Sequence, residues 1–315
     1  MTMPLRRGFA FASLALLAVL ALRQPAAADF EEDWSLCNSK DADIAIAACS
    51  QIMQRRPLEA WKLADAHNQR GLAYASKGEY DRAIEDYARA IYLNVSDAWP
   101  YNNRGVAYTE KGQYELAMAD FAKAIELDED NAWAYHNRGQ AFARQGDYDR
   151  AIADYTKCIA SDIDHVWAYN HRGQAYAAKG DHDRAIADFT TAIELDPSYV
   201  WSLIDRGVAY SGKRLYERAI ADFTRAIELD ANNAWAYTNR GWAQLNAGKA
   251  ARGLADVEKA LQFFPDEPEF LDARGHMLES LGRKRDAIAS FRQALAKDPA
   301  MKTSQDGLKR LKAGR

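Results

Sequence analysis

Three cysteines and eight prolines in 315 residues are too few for a disulfide-knotted or loop-built chain. No run of about 20 apolar residues, the length a helix needs to cross a bilayer, occurs. Cations do not predominate either. Lys and Arg number 41 against 45 Asp and Glu, and the formal charge of −4 comes without a basic tract, so no nucleic-acid partner is expected. Also missing are the G-x-S-x-G, Walker, dinucleotide and H-E-x-x-H signatures. What remains is a folded, water-soluble composition, 48% hydrophobic and 27% charged.

Residues 1–28 stand apart from the rest. Arg6 and Arg7 precede an apolar run from Phe9 to Leu22, and Ala26-Ala27-Ala28 supplies small residues for cleavage. The run is short for a span and ends at Arg23, Gln24 and Pro25. It reads as a signal peptide, which sends the mature chain to the periplasm or outside the cell with no stable membrane span after cleavage.

Beyond it the chain repeats. Arg-Gly pairs place glycines at Gly71, Gly105, Gly139, Gly173, Gly207, Gly241 and Gly275, each 34 residues from the last. Counting that glycine as the eighth place gives seven units over residues 64–301. Within one unit, Trp133, Tyr135 and Phe142 recur at helical spacing before Gly146-Asp147. Tyr148, Ile152, Tyr155 and Ile159 do so after it. Each unit is therefore a helix hairpin, and because a single hairpin buries little, stability must come from stacking. The predicted fold is an all-α, right-handed solenoid of antiparallel hairpins.

The sequence resembles the tetratricopeptide repeat family in its order of aromatic, glycine, aromatic, alanine and aromatic, held in the third unit by Tyr135, Gly139, Phe142, Ala151 and Tyr155. The closing proline appears only as Pro197, Pro265 and Pro299. Two units drift: the sixth has Gln244 and Gly253, the seventh Leu271 and Leu278, at places that are usually aromatic or alanine.

Extending the period backwards gives a degenerate hairpin at residues 29–63 with Cys37 in the glycine place and Cys49 in the alanine place. Those places meet at a helix crossing, so an exported chain is expected to join them as a disulfide. Cys158, where other units have alanine, reads as a small buried thiol. At the far end, residues 302–315 read as a basic capping helix, Leu308 and Leu311 facing inward.

Every unit has arginine before its glycine, from Arg70 to Arg274, and six have aspartate sixteen residues later, from Asp86 to Asp256, replaced by Ser290 in the seventh. A bridge between the two helices of a hairpin is the expected arrangement; the alternative is a row of arginines for anionic ligands.

Places two, six and nine share another helical stripe. Place two holds Trp99, Trp133, Trp167, Trp201 and Trp235; place six holds Asn103, Asn137, His171, Asp205 and Asn239; place nine includes Gln140 and Gln174. The resemblance implies that this stripe lines a concave groove, where amide side chains hold an extended peptide by its backbone. It also implies no grip on chaperone tails, because Trp stands where that clamp needs Lys. The sequence leaves two orientations open for the tryptophans: packed on the previous unit's second helix, or facing the ligand.

The six histidines fall at six different places and form no ligand spacing, so neither a metal nor a cofactor is expected. A catalytic constellation usually breaks a repeat at one location, whereas this one departs from pattern near its ends. The expected function is a non-enzymatic scaffold for a protein or extended peptide, in envelope assembly or secretion. A glycan or cell-wall binding protein using the tryptophan row is the alternative. Oligomeric state and partner identity are not encoded in any pattern above.

Overall fold

The computed structural model describes residues 33–54, 58–162 and 164–313. The expected signal peptide lies outside them. All regular elements among the described residues are helices. The first, α1 (residues 33–37), is followed by α2 (Ala42–Gln54). Seven hairpins come next: α3 (Ala60–Ser76) with α4 (Tyr80–Leu93), α5 (Ala98–Glu110) with α6 (Tyr114–Leu127), α7 (Ala132–Arg144) with α8 (Tyr148–Ser161), and α9 (Val166–Ala178) with α10 (His182–Leu195). The series continues with α11 (Val200–Gly212) and α12 (Tyr216–Leu229), α13 (Ala234–Asn246) and α14 (Ala250–Phe263), α15 (Pro268–Ser280) and α16 (Lys284–Lys297), and ends in α17 (Lys302–Ala313).

Each hairpin turns at a backbone in the left-handed region, which glycine adopts without a Cβ penalty. In the third unit Gly146 has φ 78°, and Asp147 donates its N–H to Phe142 at 3.0 Å, closing the end of α7. Six of the seven units use glycine there; the fifth holds Arg214 at φ 61°. Entry into α5, α7, α9 and α13 is capped by a side chain, as where Asn131 accepts the Ala134 N–H at 2.9 Å.

The helices stack in two layers with unequal spacing. Each odd-numbered helix from α3 to α15 touches the odd-numbered helix of the adjacent hairpin, whereas no two even-numbered helices touch. The layer with closer neighbours is the inside of a curve. First helices therefore line the concave face, and second helices the convex one.

Within a hairpin, the eighth-place glycine is what allows the approach. A Cβ on Gly139 would lie 2.8 Å from the Tyr155 ring, and Gly71, Gly105, Gly173, Gly207 and Gly275 meet the equivalent Tyr or Phe in the same way. The glycine is cut away for a ring that is itself almost wholly buried, such as Phe121 or Phe223. The sixth unit solves the problem differently. Val257 replaces the ring, α13 and α14 close up until a Cβ on Gly253 would stand 2.7 Å from the Gly241 carbonyl, and Gly253 is needed where alanine serves elsewhere.

Both ends differ from the middle. Cys37 and Cys49 form a disulfide, Cα atoms 4.8 Å apart, under Ile52 and Ala66. Cys158 is free and fully buried, and burial pushes its thiol up to about 12. Helix α17 covers the last hairpin: a Cβ on Gly307 would touch the opposite side of the Phe291 ring at 2.6 Å, Leu311 is buried, and Ser304 donates to Asp272 at 2.5 Å. Part of its basic character is spent on pairing, since Arg310 reaches Glu279 at 2.8 Å.

Candidate functional site

The arginine row is structural. In each of the first six units the guanidinium grips the aspartate with two parallel bonds, as in Arg138 to Asp154 at 2.7 and 2.8 Å. These aspartates are 5 to 8% exposed. Four of the arginines reach on to a hydroxyl of the preceding unit: Arg70 to Ser50, Arg172 to Thr156, Arg206 to Thr190 and Arg240 to Thr224. Arg104 and Arg138 have alanine at that place. Arg274 bonds Ser290 and Gln293 instead. Held at Nε and Nη2 by a buried carboxylate, six of these cations are already neutralised and do not form a free anion-binding row.

The tryptophans lie on the first turn of each concave-face helix and remain open to solvent, from 38% for Trp133 to 50% for Trp201. Trp133 lies 5.8 Å from His136 on its own helix, 4.8 Å from His165 at the end of its own unit and 5.5 Å from Trp167 of the following unit, and Trp235 lies 5.0 Å from Phe270 of the following unit, centroid to centroid. The packing alternative named the previous unit's second helix. None of these ring contacts is with that helix, and a large part of each indole is uncovered.

The sixth-place residues are half-buried, and four of the five make a ladder that spacing alone did not reveal. Each bonds to the fifth place of the preceding unit. Asn103 donates to Asn68 and Asn137 to Asn102, both at 2.9 Å; His136 meets His171 at 2.8 Å; Asn170 donates to Asp205 at 3.0 Å. Gln140 and Gln174 add crosswise bonds to His171 and Asp205 at 3.2 and 2.8 Å. For Asn239 the fifth place of the preceding unit is Ile204, and the ladder stops. The amides therefore hold units in register as well as facing the groove. Buried polar residues at the fifth place, Asn68, Asn102, His136 and Asn170, were the overlooked signal.

Histidines gather where the ladder crosses the third and fourth units. With Gln140 donating to His171 Nδ1, His136 is assigned as the Nε2–H tautomer, and its Nδ1 is buried without a partner. Burial, then the facing His171 and His165 rings, hold the His136 pKa down to about 2; burial, then His165, hold His171 down to about 4. Burial lowers His165 as well. The cluster is neutral near pH 7. Among the described residues no three His, Cys, Asp or Glu side chains converge as metal ligands.

On the concave side four of the predicted residues, Trp99, Asn103, Trp133 and Asn137, line a concavity of about 390 Å³ together with Val106 and Leu72. A second, of about 240 Å³, opens between Trp133 and Trp167 beside Asp162, Asp164 and Asp196. Gln140, His171, Gln174, Trp201, Asp205, Trp235 and Asn239 line neither. Apolar walls with a few amides suit an extended chain with apolar side chains.

Family profiles described as tetratricopeptide repeats match residues 71–110, 105–146, 136–200, 202–233, 223–255 and 268–300. Among solved structures, the chain is similar to a tetratricopeptide repeat protein from Parabacteroides merdae, with TM-score 0.61 and 19% identity over 79% of this chain and 98% of that one. It is similar to the Cut9–Hcn1 assembly of the APC/C, with TM-score 0.65 and 19% identity over 89% of this chain and 54% of that one. YrrB, described as having an unusual peptide-binding site, matches with TM-score 0.51 and 24% identity over 61% of this chain and 98% of that one. No curated protein matches the chain.

Proposed function

The chain belongs to the tetratricopeptide repeat family, and on that premise we propose that it is an exported, non-enzymatic scaffold that holds an extended protein segment in its concave groove, in envelope assembly or secretion. One observation carries this reading: solvent-open indoles and half-buried amides of successive units converge on the same apolar concavity. Its Asn103 and Asn137 give the peptide backbone donors and acceptors, and Trp99 and Trp133 supply contact area. At 24% identity the likeness to YrrB speaks for the fold, so the peptide reading rests on the groove itself.

Export is supported by the apolar run behind Arg6 and Arg7 and by the Cys37 to Cys49 disulfide, which an oxidising compartment maintains. No helix among the described residues is long and apolar enough to cross a membrane. The mature chain recovered from the cell envelope should begin at Asp29; recovery there with residue 1 intact would refute cleavage, and recovery from the cytosol alone would refute export.

The row of five exposed indoles favours a second reading, in which they stack on sugar faces. Full-length protein and its Trp99→Ala, Trp133→Ala double variant separate the two. Each is exposed to a randomised linear decapeptide library and to purified cell-wall polysaccharide, with circular dichroism as the folding control. Peptides retained by the natural protein and released by the variant support the groove. Polysaccharide retained instead, and lost in the variant, supports the glycan reading.

A further inference from the structure

One rung of the ladder carries a charge that its hydrogen bonds do not require. At the sixth place, the second and third units have Asn103 and Asn137, and each completes its rung as a neutral amide. The fifth unit has Asp205 doing the same work: it accepts from Asn170 at 3.0 Å and Gln174 at 2.8 Å, both on Oδ2. Asparagine in that place would make a rung without placing a carboxylate in a half-buried groove, where an unpaired charge is costly. The six buried aspartates of the second helices, Asp86 to Asp256, are each matched with an arginine. Arg206, next to it in sequence, is committed to Asp222, and Arg172 of the preceding unit to Asp188. Asp205 has two amides and no cation among the described residues. No donor to its Oδ1 is seen among the described residues, and that oxygen is not wholly buried.

The surroundings suit a cation. Trp201 stands one helical turn before Asp205 and Trp167 one turn before Asn170, both roughly half exposed. Beside Trp167 lie Asp162, Asp164 and Asp196, on the rim of the smaller concavity. Indole faces and carboxylates together attract guanidinium and ammonium groups.

We propose that Asp205 is a specificity-determining position of the groove, taking the guanidinium or ammonium of an Arg or Lys side chain in the bound peptide, flanked by the Trp167 and Trp201 indoles. This rests on the peptide-groove reading above. The second and third units then contribute a neutral, sequence-tolerant grip, and the fourth and fifth choose a basic residue. Burial raises the Asp205 pKa while the two amides oppose it, as expected of a carboxylate that lacks its counter-ion.

The test uses full-length protein and the decapeptide library. Peptides retained by the natural protein should be enriched in Arg and Lys. Replacing the selected arginine by citrulline, its neutral isostere, should weaken binding about tenfold, the scale of one charge-assisted bond in a half-exposed setting. In Asp205→Asn the two peptides should bind alike, while Asp149→Asn on the opposite layer should keep the tenfold preference. A retained pool with no basic enrichment, or a citrulline penalty that survives Asp205→Asn, overturns the proposal and leaves the groove standing. If the Trp99→Ala, Trp133→Ala variant retains the same pool as the natural protein, or the natural protein retains none, both fall.

Discussion

Removing Asp154 should unmask how much of the solenoid depends on its arginine bridges. Arg138 gives Asp154 two bonds at 2.7 and 2.8 Å, the aspartate side chain is 8% and the arginine 23% exposed, and the preceding unit has Ala122 where a hydroxyl would help. In Asp154→Ala the guanidinium keeps the Tyr135 ring, 5.6 Å away, and loses both of its side-chain hydrogen bonds. Breaking one side of a buried pair costs about 3 to 5 kcal/mol. Partial exposure of Arg138 lets water compensate, so about 3 kcal/mol is expected. Asp188→Ala removes the same carboxylate, but Arg172 keeps Thr156 at 3.1 Å. One surviving hydrogen bond should spare about 1 kcal/mol. The assay is urea unfolding by circular dichroism, paired with hydrogen exchange, because stacked units open locally. Protection should fall first in α7 and α8 for Asp154→Ala, and Arg138→Leu with Asp154→Leu should recover much of the loss. Equal losses below about 0.5 kcal/mol in both single variants would refute the reasoning.

Arg214→Gly should stabilise the protein by about 0.5 to 1 kcal/mol, since it relieves a left-handed non-glycine residue while loosening the unfolded chain; an unchanged or lower melting temperature would contradict this. Stability should fall as pH drops from about 7 toward 4. His136 and His171, held at about 2 and about 4, stay neutral in the folded state while the unfolded chain protonates near 6.5. Their contribution is therefore fully present above 6.5 and is lost at up to about 1.4 kcal/mol per pH unit for each. His136→Asn should flatten that slope, measured by urea midpoints across the range. Thiol labelling of the unfolded, unreduced chain should find one reactive cysteine, Cys158; three would remove the disulfide. Reduction should loosen α1 and α2 and leave the distant units protected.

Much of the fold was legible because each unit repeats the same physical problem. A glycine every 34 residues, facing a ring sixteen residues on, fixes hairpin and period together. The arginine bridges were legible too, from residues that come and go as pairs. The ladder was harder: it joins place five to place six of the next unit, a contact made across stacked helices rather than along one. Its marker was a run of polar residues at a buried place, ending at Ile204. The tryptophans resisted for another reason. An indole on the first turn can lie against either neighbour or neither, and the outcome depends on the curvature of the stack. Arg214 escaped notice because only its equivalence to six glycines shows that its backbone must be left-handed.

The central claim is that the concave face holds a protein segment. A photo-crosslinking phenylalanine derivative placed at Val106, on the groove wall, and separately at Tyr92, 73% exposed on the convex-layer helix α4, tests it in intact cells. Adducts from position 106 that protease digests, with few from position 92, are the predicted result. Adducts only from position 92, or groove adducts that resist protease and yield to glycan hydrolases, would contradict the account.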